Sequence, residues 1–288
     1  MPELPEVETI VRQLQFVMRR AKITAVDVRL PKMVKLPVRR LRQALVHAHI
    51  VHIHRRAKLV LLDFSSGQTL LIHLKMSGQL IWKPIRGRLR VGGHPIPRGI
   101  ENLPNHYSHV IITTNRGTLF FNDQRQFGFV KMIPTAELES WLEDQGYGPE
   151  PLDSLFTVEH FLVILRQHQR KRIKPMLLDQ QAIAGIGNIY ADETCFIARV
   201  RPTRKVSSLT LVERTALYHG LRSILTLAIN KKGTTADAYR TATGDKGSMM
   251  PFLKVYGRDG LKCKRCGRII TKTVLAGRGT HYCANCQQ

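Results

Sequence analysis

The run Met1-Pro2-Glu3-Leu4-Pro5-Glu6-Val7-Glu8-Thr9 contains the parts of a covalent catalyst. A Pro directly after the initiator Met is small enough for the Met to be removed, leaving a free secondary amine on Pro2. An α-amino group titrates at roughly 7.7–8.0, well below Lys at roughly 10.4, so much of it is uncharged near neutral pH. Amines of this kind attack electrophilic carbons and form iminium intermediates. Glu3 and Glu6 bring carboxylates within reach for general acid/base work. The same residues also make an ordinary helix start, with Pro5 in the first turn and Glu6 and Glu8 favouring the dipole. On spacing alone, both readings stand.

A second set of residues has metal-ligand spacing. Cys263-x2-Cys266 and Cys283-x2-Cys286 are separated by 16 residues, in the range of a four-cysteine zinc site. Four thiolates close a tetrahedral shell, so this zinc is structural and leaves no place for a reacting water. It would brace the hairpin loop of residues 276–280, which offers Arg278 and backbone N–H groups to an anion. The fifth cysteine, Cys195, reads as a buried apolar residue.

Ala184-Gly185-Ile186-Gly187-Asn188-Ile189-Tyr190 puts glycines just before a helix start, where N–H groups and the dipole suit a phosphate. A plain helix–helix turn fits equally well, although Lys171, Arg172 and Lys174 upstream favour an anion. Lys58, after Arg55-Arg56-Ala57, is a phosphate clamp or a solvated charge at a strand end. Met76 on one turn, and Arg125 with Phe127 on another, could together fill a gap in opened duplex. Taken singly, Met76 and Phe127 are ordinary core residues and Arg125 an ordinary turn charge.

Regular elements must hold these groups. Val7, Ile10, Val11, Leu14, Val17 and Met18 recur at helical spacing, which predicts an amphipathic helix carrying the amine at its N-terminus. Strands are expected at 23–30, 49–54, 59–64, 70–74, 79–82, 110–114, 118–122 and 127–133, the density of a β-sandwich. Residues 83–106, rich in Gly, Pro and Arg, show no periodicity and read as a nucleic-acid-facing loop or as disorder. A short acidic helix is expected over 135–143. After a Gly/Pro linker the period turns helical: Val158, Phe161, Leu162 and Leu165 form one face, and residues 175–178 begin another helix. Asn188 caps a third through Ala198, and Thr210-Leu211-Val212-Glu213 is a capping box opening a long helix that ends at Lys231-Lys232-Gly233.

The 288 residues allow one large or two modest domains. A formal charge of +24, from 45 basic and 21 acidic residues, points to a polyanionic partner. No apolar run approaches the ~20 residues of a membrane span and no secretory pattern opens the chain. The expectation is a soluble intracellular protein, whose cysteines serve metal rather than disulfides.

Taken together, these segments closely resemble the bacterial formamidopyrimidine-DNA glycosylase family. The resemblance rests on residues 2–9, Arg55-Arg56-Ala57-Lys58, His73-Leu74-x-Met76-Ser77-Gly78, Ile173-Lys174-Pro175, Gly185-Ile186-Gly187-Asn188-Ile189-Tyr190, Val255-Tyr256-Gly257-Arg258 and the cysteine module, in the family's order over nearly the whole chain. It implies an α+β protein of two domains: a catalytic β-sandwich with flanking helices over 1–145, a linker over 146–154, a helix–two-turn–helix region over 155–255, and a zinc-finger hairpin over 256–288. It implies excision of oxidised purines from duplex DNA by a monomer of the bacterial cytosol, with one structural Zn2+ and no redox or nucleotide cofactor. Pro2 would attack C1′, Glu3 would act as general acid/base, Glu6 would support the site, and Lys58 would join the catalytic group. His73, Lys174, Asn188 and Arg278 match positions around the extruded nucleotide. Met76, Arg125 and Phe127 match the wedge, Arg125 facing the orphaned cytosine.

The chain departs from the family pattern at Gln124 and Gln126, which flank Arg125, in the long 83–106 segment, and in the composition of residues 234–254, which would cover the extruded base. An endonuclease VIII-like pyrimidine glycosylase would share Pro2-Glu3 but has Gly where Leu4 stands. A non-enzymatic zinc-ribbon protein would explain the charge and the cysteines but not Met-Pro-Glu.

Overall fold

Apolar residues spaced by threes and fours along the first helix decide where the first core forms. Helix α1 (Leu4–Met18) buries Val7, Ile10, Val11, Leu14 and Met18 completely or nearly so, each contributing roughly 1.5–3 kcal/mol of transfer free energy. The computed structural model describes residues 1–87, 89–93, 102–234 and 248–288. They form two units, Met1–Gln145 with Lys231–Met250, and Gly146–Asn230 with Pro251–Gln288.

In the first unit α1 is followed by β1 (Ile23–Val28), α2 (Val38–Leu45), β2 (Ile50–Arg56), β3 (Leu59–Phe64), β4 (Gln68–His73), β5 (Gly78–Pro84), β6 (Arg90–Gly93), β7 (Ser108–Thr114), β8 (Gly117–Asp123), β9 (Phe129–Pro134) and α3 (Leu138–Asp144). All strand pairings are antiparallel, in a five-stranded sheet of order β1-β7-β8-β5-β6 and a four-stranded sheet of order β2-β3-β4-β9. Leu70 and Ile72 of β4 and Val130 of β9 share one core with Leu80, Trp82, Val110, Ile112, Leu119 and Phe121 of the other sheet and with the apolar face of α1. Period-2 alternation in the strands produces this sandwich, because alternate side chains point to one face.

Three expectations in this unit need correction. Strand 127–133 begins only at Phe129, because Gln126 takes a left-handed φ of 56° and turns the chain, leaving Phe127 in solvent. The 135–143 helix is a 3-10 turn, Thr135–Glu137, running into α3. Strand β6 lies inside the 83–106 segment, hydrogen-bonded to β5. It escaped the periodicity because its contacts need glycine: a Cβ on Gly92 would lie 2.7 Å from the Ile10 side chain. Leu89 and Leu103 from the same segment pack on Ile81, Ile111 and Phe120, the outer face of the sheet. Helix α2 was also unforeseen, since only Leu41 and Leu45 mark its buried side.

The second unit contains α4 (Val158–Gln167), α5 (Ile173–Leu178), α6 (Asn188–Ile197), α7 (Leu211–Asn230) and the hairpin β10 (Thr271–Leu275) and β11 (Arg278–Tyr282). Thr210 and Glu213 form the expected capping box, Glu213 N donating to Thr210 Oγ1 at 3.3 Å and Thr210 N to Glu213 Oε2 at 2.8 Å. Leu217, Leu221, Ile224, Leu225 and Ala228 are buried along α7, as their spacing required. Residues 146–154, expected as a linker, are part of this unit. Gly148 N donates to Gln180 O, Ala184 N donates to Pro149 O, and the Arg222 guanidinium donates to Pro151 O and Asp153 O. Residues 231–250, expected within the helical segment, belong instead to the first unit.

Candidate active site

Two carboxylates organise the start of α1. Glu3 is its N-cap, and its backbone N–H donates to Glu6 Oε2 at 3.0 Å while its side chain accepts from Glu6 N. Glu6 Oε1 accepts both the backbone N–H and the hydroxyl of Thr234, at 2.9 and 3.0 Å. Both oxygens of Glu6 are therefore committed, which suits holding rather than proton transfer. Gly233 makes this approach possible with φ of 80°; a Cβ there would meet Glu6 Oε1 at 3.0 Å. Of the 234–254 segment expected to cover the extruded base, residues 235–247 lie outside the described residues.

The amino group of Met1 is held below its ordinary pKa, chiefly by burial. Glu3 and Glu6 oppose the shift, and the charges of Lys58 and Arg125 add to it. Four residues singled out in the sequence thus act on the amino terminus, with Pro2 and Glu3 buried next to it. Lys58 is buried at the turn between β2 and β3, behind Ala57 with its left-handed φ of 52°. Arg55 braces that turn, donating to Ala57 O at 2.9 Å and pairing with Glu8 of α1 at 3.0 Å. His73, at the end of β4, accepts Lys75 N–H on Nδ1 at 3.0 Å and stacks at a tilt on Phe129. Its pKa is lowered to about 3 by burial, then by Lys75 and Lys58, so it is a neutral ring.

Met76, Arg125 and Phe127 are all solvent-facing, Met76 38% and Phe127 55% exposed, whereas Met and Phe side chains of their size usually lie inside. The Arg125 guanidinium lies 4.7 Å from the centre of the Phe127 ring. A buried carboxylate shapes both loops. Asp123 accepts the Ser77 hydroxyl and Arg125 N–H on Oδ1 and Gly128 N–H at 2.7 Å on Oδ2, while Arg125 N also donates to Ser77 Oγ at 3.0 Å. Gln124 and Gln126 point into solvent outside this network.

The second unit holds the remaining candidates. Lys174 was expected at a phosphate; it is 0% exposed, with Nζ 2.6 Å from Asp192 Oδ1, donating to Gly279 O at 2.7 Å and to Thr280 Oγ1 at 3.0 Å. Its charge is spent on Asp192, so it positions the hairpin rather than meeting an anion. Asn188 is not a cap either. Gly187 is the N-cap, and Asn188 Nδ2 donates to Gly279 O at 3.0 Å. Asp192 Oδ2 also accepts His281 N–H at 2.9 Å. Glu193 accepts backbone N–H groups of Lys254, Val255 and Tyr256, although burial raises its pKa. Arg278 is left exposed at the start of β11.

The four cysteines converge, their sulfurs all within 4.8 Å of one another. Cys263 Sγ is 4.0 Å from Cys286 Sγ, and Cys266 Sγ is 3.5 Å from Cys283 Sγ. Zinc–sulfur bonds of about 2.3 Å in a tetrahedron put sulfurs roughly 3.8 Å apart, so the donor set fits that ion. Asp123, Ser77, Thr234, Asp192 and Glu193 were missed in the sequence. The one available signal was a pair of acids, Asp192-Glu193, within an otherwise apolar helix.

Comparison with known proteins agrees over the whole length. Residues 1–130 match the formamidopyrimidine-DNA glycosylase N-terminal domain, 147–239 the formamidopyrimidine-DNA glycosylase H2TH domain, and 260–288 a zinc finger found in FPG and IleRS. The formamidopyrimidine-DNA glycosylase of Pelotomaculum thermopropionicum is 40% identical over 100% of this chain and 99% of its own. That of Lactiplantibacillus plantarum is 38% identical, covering 98% of each. Among solved structures, a Lactococcus lactis FPG mutant in complex with Fapy-dG-containing DNA superposes with a TM-score of 0.87 at 33% identity, covering 100% of both chains. The Lactococcus lactis Fpg in complex with abasic-site DNA gives 0.87 at 33% identity, covering 99% of both. With the finger matched and the sulfurs clustered, the chain carries one structural zinc ion.

Proposed function

The chain belongs to the formamidopyrimidine-DNA glycosylase family, and from that premise we propose that it excises oxidised purines from duplex DNA and then cleaves the abasic strand, using the amine of Pro2. The carrying observation is the surround of the amino terminus: Pro2 and Glu3 are buried, Glu3 and Glu6 act on the amine, and desolvation, then Lys58 and Arg125, depress its pKa. Removal of Met1 would leave the Pro2 nitrogen as the amine of that surround, where burial and two cations favour the uncharged, nucleophilic form.

The damaged nucleotide is extruded from the stack. The nitrogen of Pro2 attacks C1′; the bond from C1′ to the base breaks and the base leaves with a proton. Glu3 serves as the general acid/base in opening the sugar to the iminium. The iminium acidifies C2′, and loss of that proton expels the 3′-phosphate; a second elimination expels the 5′-phosphate. Glu6 holds the helix start against Thr234, and Lys58 supplies a buried cation for the phosphate or proton traffic of these steps. His73, neutral, supports the Lys58 side of the site. Met76, Arg125 and Phe127 fill the gap left in the duplex, Arg125 facing the orphaned cytosine. Arg278 and Asn188 hold phosphates near the lesion, and Lys174 holds the loop that presents them. The protein acts as a monomer in the bacterial cytosol; among the described residues no helix is long and apolar enough to cross a membrane.

Incubation with a duplex carrying 8-oxoguanine opposite cytosine, followed by borohydride, should give a covalent adduct mapped to Pro2, with Met1 absent from the intact mass. Pro2→Gly, which retains an amine but not a secondary one, should lose most trapping while keeping duplex affinity. Tight binding with no adduct would defeat the enzyme reading, and trapping confined to an oxidised pyrimidine would favour the endonuclease VIII-like alternative.

A further inference from the structure

Away from the amino terminus, the first unit carries a second group of potential metal ligands. His52 and His54 lie two residues apart on β2, so strand geometry directs both rings to one face. Asp63 of β3 is the register partner of His52 and shares that face. The two imidazoles stack almost parallel, 4.9 Å between centres and 7° between planes. Asp63 Oδ2 lies 3.1 Å from His54 Nε2 and 3.8 Å from His52 Nδ1. The other oxygen is tied back by the Thr69 hydroxyl at 2.7 Å, itself 3.0 Å from Thr135 Oγ1. The carboxylate is thus aimed from behind, as metal-binding carboxylates usually are.

We propose that His52, His54 and Asp63 form a second metal site, taking one borderline divalent ion such as Zn2+, with solvent at the fourth position. Bonds of about 2.0–2.2 Å in a tetrahedron separate donors by roughly 3.3–3.6 Å. The two measured separations bracket that span, and all three donor atoms lie within 4.8 Å of one another, so small side-chain rotations close the shell. An ion pair at 3.1 Å between Nε2 and Asp63 Oδ2 would account for His54 alone, although that nitrogen makes no well-formed hydrogen bond. It leaves unexplained a second imidazole, stacked flat on the first, with its nitrogen turned to the same oxygen. Side-chain exposures of 55%, 30% and 19% leave an open path for the ion. Binding there would pin β2 to β3, the hairpin whose turn carries Lys58. This site is independent of the excision chemistry and of the four cysteines.

The test is metal stoichiometry on the full-length protein with its finger zinc in place. After equilibration with micromolar free Zn2+ and gel filtration, elemental mass spectrometry should find two zinc ions per chain. Asp63→Asn and the double variant His52→Ala/His54→Ala should each fall to one, with an unchanged far-UV circular-dichroism spectrum and near-ultraviolet aromatic signal reporting an intact first unit. Co2+ added to protein that holds only its finger zinc should give weak nitrogen/oxygen-type bands without thiolate-to-cobalt charge transfer. A single zinc in the wild type, or a second ion undiminished in both variants, overturns the proposal.

Discussion

A buried histidine beside two cations has one protonation state to offer. Lys75 N–H donates to Nδ1 of His73, so the ring proton sits on Nε2, and the lowered pKa of about 3 keeps it there through the working range. The unfolded chain takes up a proton at this residue near 6.5, and the folded chain does not until about 3. Stability therefore falls as pH drops from 6.5 towards 3, and is unaffected by this group above 6.5. Urea unfolding at pH 7 and pH 4.5 should show the wild type losing about 2–3 kcal/mol more than His73→Gln between those pH values. An equal loss in both would mean that the ring is protonated in the folded protein. The same environment acts on the amino terminus, where burial and two cations favour the neutral amine against the pull of two glutamates.

Elements hold these groups through a few polar anchors. Between β8 and β9 the chain could splay freely, since Gln124, Arg125, Gln126 and Phe127 are all exposed. Buried Asp123 prevents this by accepting from Ser77, Arg125 and Gly128 at once. Gly128 is tightly enclosed: a Cβ would lie 2.7 Å from Phe121 Cζ, 2.9 Å from His73 O and 3.0 Å from Asp123 Oδ2. Gly128→Ala should cost about 1–3 kcal/mol in stability by forcing these neighbours apart. If the proposed wedge acts as argued, the substitution should also slow excision of a base from intact duplex more than cleavage of a preformed abasic site, because only the former would need it. Equal slowing of both would separate the loop from that role. In the second unit the Lys174–Asp192 pair does the corresponding work for the hairpin. Removing one partner of such a buried pair leaves an uncompensated charge, a cost of roughly 3–5 kcal/mol.

At the scale of the whole molecule, charge and metal set how DNA is met. A surplus of 24 positive charges gives long-range attraction to any duplex, which salt weakens. Specific placement depends on ordered contacts, and Arg278 is presented by a hairpin too small to have much core of its own. Phe196, Val255, Ile270 and two of the cysteines make up most of its apolar packing. Stripping the zinc should therefore abolish specific binding of lesion duplex, whereas Arg278→Ala, with the finger intact, should weaken binding and reduce the salt slope by about 1. Binding measured against salt for both preparations checks this; unchanged affinity after verified metal loss would remove the hairpin from the account.

Local pattern was enough for much of this protein. The cysteine spacing, the apolar stripe of α1, the capping box of α7 and most strands depend on neighbours a few residues apart, so they are legible in a linear reading. Pro2 and Glu3, the proposed nucleophile and acid/base, stand out for the same reason, as chemistry concentrated in one short run. Tertiary structure decided what depends on partners far along the chain. Asp192 neutralises Lys174 from 18 positions away, turning an expected phosphate contact into an internal brace. Thr234 reaches Glu6 across 228 residues, and β6 carries glycine at 92 because Ile10 leaves no room for a side chain there. Buried polar groups must find partners wherever the fold brings them, and nothing in local periodicity encodes which ones those will be.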